Sequence, residues 1–178
     1  MVTIRALTPN DIGLFRPLIT GYTSTDIYKV VTHQSDDLSY FRLELTKLVQ
    51  PYQKVYDLED DDYYHDILTA GLSLGVYDGD ALIAIALSDI AQWNKHFWLH
   101  EFHVHPAHQG RDIGQQLMTA VITKAQETDC RLIVCETQNT NVPAIRFYRN
   151  MGFSIEGIDT SLYVDLDEVA VFMKYHLR

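Results

Sequence analysis

The feature that most constrains this chain is a helical pattern followed closely by a short apolar run. Ile113, Leu117, Val121 and Ala125 recur every four residues, with Met118 and Ile122 widening the stripe, which describes an amphipathic helix of about four turns. Leu132-Ile133-Val134-Cys135 then forms a continuous apolar run of the kind found in strands covered on both faces. A helix with one apolar stripe beside a strand of this type requires a sheet with helices packed on it, so the expected class is mixed α/β.

The rest of the chain supplies strands and helices in keeping with that order. Val2 to Leu7 reads as a first strand, and Thr8-Pro9-Asn10-Asp11 offers cap-type residues before a helix carrying Ile12, Leu14, Phe15, Leu18 and Ile19. Leu72 to Tyr77 and Ala81 to Ala91 form an expected antiparallel pair across Asp78-Gly79, a strong hairpin signal. Phe97 to Val104 is a further strand that must stop at His105-Pro106, because proline cannot continue a ladder. A helix from about Asn141 to Met151 ends at Gly152, and strands near Phe153 to Tyr163 and Val169 to His176 close the chain. Between Gly21 and Asp66 the pattern blurs into seven tyrosines, an expected helix over Asp37 to Val49, and the acidic run Asp57, Glu59, Asp60, Asp61, Asp62. With 178 residues, no internal repeat and no linker, one domain spanning 1–178 is expected.

Composition narrows the function classes. A hydrophobic share of 47% excludes a disordered chain, and a net charge of −10 repels nucleic acid and anionic lipid while attracting cations. Neither a nucleic-acid nor a membrane partner is therefore expected, and a small cationic substrate is favoured. Met1 to Asn10 has no signal-peptide run, and the longest apolar stretch, Ala81 to Leu87, is far below the roughly 20 residues of a spanning helix, so the expected location is cytoplasmic. Cys130 and Cys135 read as reduced packing residues.

Two segments can carry chemistry. Gln109-Gly110-Arg111-Asp112-Ile113-Gly114 lies between a strand end and a helix start, where glycines and exposed N–H groups suit a phosphate. The same residues also read as a plain helix entrance, with Asp112 and Gln115 as a capping box. In the second segment, Asn141 and Tyr148 stand two turns apart on one helix face, either touching one ligand or serving as a cap and a core tyrosine. His96, His100, His103, His105 and His108 suggest metal, but His100 and His103 have opposite strand parity and no Cys partner or H-E-x-x-H motif accompanies them. No metal site is expected.

In this order the two segments resemble the motifs of the GNAT family of N-acetyltransferases, Q/R-x-x-G-x-G/A and N-x-x-A-x-x-x-Y-x-x-x-G-F. The second is complete in Asn141, Ala144, Tyr148, Gly152 and Phe153, whereas Asp112 stands where the family usually has the first glycine of its phosphate loop. Glu136-Thr137-Gln138-Asn139-Thr140-Asn141-Val142-Pro143-Ala144, with Gly157-Ile158-Asp159 and Asp167 to Phe172, is similar to the streptothricin acetyltransferase branch. The resemblance implies a mostly antiparallel sheet that splays between its fourth and fifth strands, with acetyl-CoA as donor. It places the pyrophosphate on Gln109, Gly110, Arg111, Asp112, Ile113 and Gly114, the pantetheine arm along the backbone of Phe102, His103 and Val104, and Asn141 against the arm. Tyr148 is the implied general acid. Glu101, at an acidic position of the branch, is the implied base, with His100 and His103 as alternatives. By strand alternation His100 and Glu101 face opposite ways unless a bulge intervenes. The implied acceptor is a primary amine of a small cation, such as streptothricin with its β-lysine arm, which carries an expectation of antibiotic resistance. Dimers are common in the family, so a homodimer stays open. Two other readings also stay open: a protein or peptide N-terminal acetyltransferase, and a non-catalytic acyl-CoA-binding regulatory domain, the latter because Asp112 adds a carboxylate beside the phosphate.

Overall fold

The chain alternates strands with short helices, and the computed structural model describes residues 2–164 and 167–177. They fall into two compact units, one built from 2–20, 56–135 and 174–177, the other from 21–55 and 136–173 in their described parts.

In the first unit, strand β1 (Val2–Ala6) leads into a 3-10 turn, Pro9–Leu14, in place of the longer helix that the apolar spacing suggested. Thr8 and Asp11 form a capping box around this turn, and Pro17 falls where the helix would have to continue. Helix α1 (Asp61–Thr69) was not visible in the sequence pattern. The end of the acidic run starts it: Asp60 is the N-cap, accepting from Tyr63 N–H at 2.8 Å, and Asp61 and Asp62 complement the helix dipole.

The other strands of this unit are β4 (Leu74–Asp78), β5 (Ala81–Ala91), β6 (His96–Val104) and β7 (Leu132–Gln138), the last of which runs on into the second unit. Strands β4 and β5 are joined at Asp78-Gly79 as expected, with Gly79 at φ +59°. The order is β1-β4-β5-β6-β7, antiparallel except for the parallel β6–β7 pair. That pair runs only from His96↔Leu132 to Leu99↔Cys135, so β6 continues to Val104 beyond its paired stretch. Helix α2 (Ile113–Gln126) buries Ile113, Leu117, Met118, Val121 and Ala125, the stripe read from the sequence, against β4, β5 and β6. A second cluster gathers Phe15, Leu18, Tyr64, Ile67, Leu68 and Tyr77 around the 3-10 turn and α1.

In the second unit, β2 (Tyr22–Gln34) and β3 (Ser39–Lys54) pair antiparallel as a separate two-stranded sheet. The helix expected over Asp37 to Val49 is therefore strand. Apolar Phe41, Leu43 and Leu45 alternate with polar Arg42, Glu44 and Thr46 along the ribbon, and long-range pairing with β2 overrides the local helical spacing. Helix α3 (Val142–Asn150) follows the end of β7, and β8 (Ser154–Asp159) and β9 (Ala170–His176) extend the order as β7-β9-β8. Cys130 and Cys135 are both free and buried. No helix among the described residues is long and apolar enough to cross a membrane.

Candidate active site

Strand β6 carries the first group of site residues. Leu87 pairs with Glu101 and Ser88 with Leu99, so the register slips by one and His100 is the extra residue of a β-bulge. The bulge brings His100 and Glu101, which simple alternation would separate, to one neighbour. The Tyr63 ring of α1 lies edge-on to His100 at 6.4 Å, and the Glu101 charge acts on the same phenol. His100 Nε2 sits 3.0 Å from Asp89 Oδ1 on β5, without hydrogen-bond alignment. Glu101 Oε2 lies 2.6 Å from His103 Nε2, and the Tyr56 ring meets His103 edge-on at 5.9 Å.

Burial raises the Tyr63 pKa well above the ordinary tyrosine range, and the negative charges of Glu101, Glu59 and Asp89 raise it further. The phenol therefore stays protonated, in a field set by three carboxylates. No Lys or Arg forms an ion pair with Glu59, Asp89 or Glu101 among the described residues. Other histidines have separate roles: His96 contacts Arg131 at 3.1 Å, and His105 accepts from Ala107 N–H at 3.2 Å. Among the described residues no three His, Cys, Asp or Glu side chains converge as a metal site would require.

The Gln109 to Gly114 loop stands at the start of α2. The Gln109 side chain donates to Val104 O at 3.1 Å, tying the loop to the end of β6. Gly110 has φ +71°, and a Cβ there would meet nothing within 4 Å, so the space beside it is open. Asp112 adopts φ +61° and ψ 4°, a left-handed conformation that favours glycine. It makes no side-chain cap, so the capping box with Gln115 does not form. The backbone thus holds the shape of a glycine loop through a non-glycine residue. Because the first helical N–H groups have no intrahelical acceptor, those of Ile113 and Gly114 remain for an anion at the positive end of the helix. These residues fit a pyrophosphate: open space at Gly110, uncapped amides, and the Arg111 guanidinium on the exposed side.

The second unit holds Asn141 and Tyr148. Asn141 is the buried N-cap of α3, its Oδ1 accepting from Ala144 N–H at 3.2 Å. Tyr148 is buried at 7% exposure, its ring between Phe147 and Phe153 at 5.6 and 5.4 Å. Both therefore also meet the structural alternative stated for them, a cap and a core ring. A buried network fixes the turn before Asn141. Asn139 exchanges hydrogen bonds with Val169 and donates from Nδ2 to Tyr28 O at 2.9 Å. Thr140 Oγ1 lies 2.6 Å from Tyr22 OH and donates to Glu168 Oε1 at 3.3 Å. Glu168, 2% exposed, also accepts from Tyr52 OH and Lys54 Nζ. The sequence offered no signal for the roles of Asn139, Thr140 and Glu168, because each depends on a partner more than 25 residues away.

Comparison with known proteins bears on this arrangement. A model of the acetyltransferase (GNAT) family matches residues 39–153. The streptothricin acetyltransferase of Streptomyces lavendulae is 30% identical over 166 residues, covering 89% of this chain and 85% of that protein. The crystal structure of nourseothricin acetyltransferase superposes with a TM-score of 0.82 at 26% identity over 99% of each chain. A structure from Bacillus anthracis solved in complex with acetyl coenzyme A shares the fold, with a TM-score of 0.79 and 22% identity over 99% of both chains.

Proposed function

Because this chain belongs to the GNAT acetyltransferase family, and is an enzyme of that kind, we propose that it acetylates a primary amine of a small cationic acceptor from acetyl-CoA. Streptothricin-type antibiotics head the candidate acceptors, since the relative from Streptomyces lavendulae is named for that activity. The observation that carries the acceptor reading is the set of carboxylates Glu59, Asp89 and Glu101 around Tyr63, none of which forms an ion pair with Lys or Arg among the described residues. A cationic amine supplies the missing charge, and the Tyr63 and Tyr56 rings add faces that favour cations.

Bound acetyl-CoA supplies the thioester whose carbonyl carbon the amine attacks. On this reading the amides of Gly110, Arg111, Ile113 and Gly114 bind its pyrophosphate, with Arg111 adding a charge-assisted contact. The Phe102–Val104 backbone beyond the β6–β7 pairing orients the pantetheine arm, and one of its N–H groups donates to the carbonyl oxygen as charge builds there. Asn141 holds the arm. An ammonium with a pKa near 10 must lose a proton before attack, and Glu101, coupled to His103 at 2.6 Å, accepts it. Tyr148 gives a proton to the departing sulfur and is reprotonated by the second proton that the nitrogen sheds as the amide forms.

The test is a thiol-release assay with acetyl-CoA against streptothricin, polyamines, aminoglycosides and N-terminal peptides. Turnover confined to small polycations supports the reading. Peptide turnover alone would replace it with an N-terminal acetyltransferase, and CoA binding without turnover would replace it with a binding domain.

A further inference from the structure

A cavity of about 400 Å³ lies between the last turn of α1 and the end of β5, lined by Asp66 and Thr69 on one side and by Asp89, Ile90 and Gln92 on the other, with Leu72 between. It adjoins the group of carboxylates described above. Asp66 stands one helical turn beyond Tyr63, so the two lie on the same flank of α1. Asp89 belongs to both places: it lines the cavity, and its Oδ1 is 3.0 Å from His100 Nε2, a nitrogen that is shielded from solvent and has no hydrogen-bond partner.

The lining is matched to an alkylammonium group. Neither Asp66 nor Asp89 forms an ion pair with Lys or Arg among the described residues. Helix α1 ends at the cavity with no basic residue in its last turn, which leaves the negative end of its dipole uncompensated there. The Thr69 hydroxyl donates to Asp66 O at 2.7 Å, so toward the cavity its oxygen is an acceptor as well. Leu72 and Ile90 give an apolar wall on which methylene groups can lie. Distance follows from the strand. Leu87 is the β5 partner of Glu101, Asp89 lies two residues on and Gln92 three more, so the cavity begins about 7 Å from the level of Glu101 and reaches about 10 Å farther. We propose that this cavity binds a second ammonium group of the acceptor, held by Asp66 and Asp89 at about 7 Å or more from the amine that is acetylated. The inference rests on the reading that the chain acetylates a small cationic amine, and it makes the acceptor a dication with a flexible chain between its charges.

Steady-state kinetics on the full chain with acetyl-CoA tests this, using amines paired by chain length. The kcat/KM for octamethylenediamine is expected to exceed that for octylamine about tenfold, and ethylenediamine, too short to span about 7 Å, shows no comparable gain over ethylamine. Asp66→Asn reduces the gain for the long diamine to about twofold. Asp62→Asn, which removes the same charge from the exposed first turn of α1, keeps it. A gain that survives Asp66→Asn, or that Asp62→Asn abolishes equally, would overturn the proposal. Equal turnover of octylamine and octamethylenediamine would remove the second ammonium site and leave the amine reading standing, whereas turnover of no amine at all would remove both.

Discussion

Asp112 and Tyr148 are the residues whose chemistry is most open to test. Asp112 holds a left-handed conformation without making a cap, so its carboxylate brings a charge to the phosphate loop and no compensating hydrogen bond. Asp112→Gly and Asp112→Asn should both lower the KM for acetyl-CoA about fivefold, the effect of removing about 1 kcal/mol of repulsion at a solvated site. Only the glycine should also relieve backbone strain, seen as a small rise in Tm. An unchanged KM in both variants would show that the carboxylate points away from the phosphates. For Tyr148→Phe, steady-state kinetics should show kcat falling about 100-fold with little change in KM, as for loss of a general acid. Equal turnover would reduce Tyr148 to the buried ring between Phe147 and Phe153. The placement of the loop at the start of α2 and of Asn141 and Tyr148 on α3 is legible in the sequence because their spacing is local. Tyr63, Asp89 and Glu59 are not, since only the bulge at His100 and the fold of α1 gather them.

Among the elements, legibility followed the range of the interactions that form them. Helix α2 and the β4–β5 hairpin could be read directly, because a stripe at helical spacing and an Asp-Gly turn are written within a dozen residues. Part of strand β3 has helical spacing in the sequence because its identity depends on pairing with β2, and α1 is hidden because its capping acids resemble a loop. The 3-10 turn after β1 gives a prediction at this scale. Burial raises the Asp11 pKa, but hydrogen bonds from the Thr8 backbone, the Tyr77 hydroxyl and the Thr8 side chain outweigh it and hold the carboxyl below its ordinary value. A carboxylate with a lowered folded pKa stabilises the fold above its unfolded value, near 3.9, and loses that contribution as pH falls through the folded pKa. Asp11→Asn should therefore cost about 1 kcal/mol in urea unfolding at neutral pH, and the gap should narrow as the pH falls below the unfolded value near 3.9. A constant gap across that range would mean that the loss comes from packing and not from charge.

For the whole molecule, the ten excess negative charges act over longer distances than any pair. With a polycationic acceptor, raising the salt from about 50 to 200 mM, which shortens the Debye length to below about 10 Å, should increase the acceptor KM severalfold and leave kcat nearly unchanged. A neutral amine should show no such trend, and equal salt responses for the two would remove electrostatic steering from the account. The parallel ladder that stops at Leu99↔Cys135 has a consequence in time as well as in space. Amides of β6 past that point lie outside the parallel ladder, so those that do not turn toward β5 should take up deuterium faster in the free enzyme than the amides paired before it. Slow exchange confined to His100 to Val104 on adding donor would then register its arrival, residue by residue, before any acetyl group has moved.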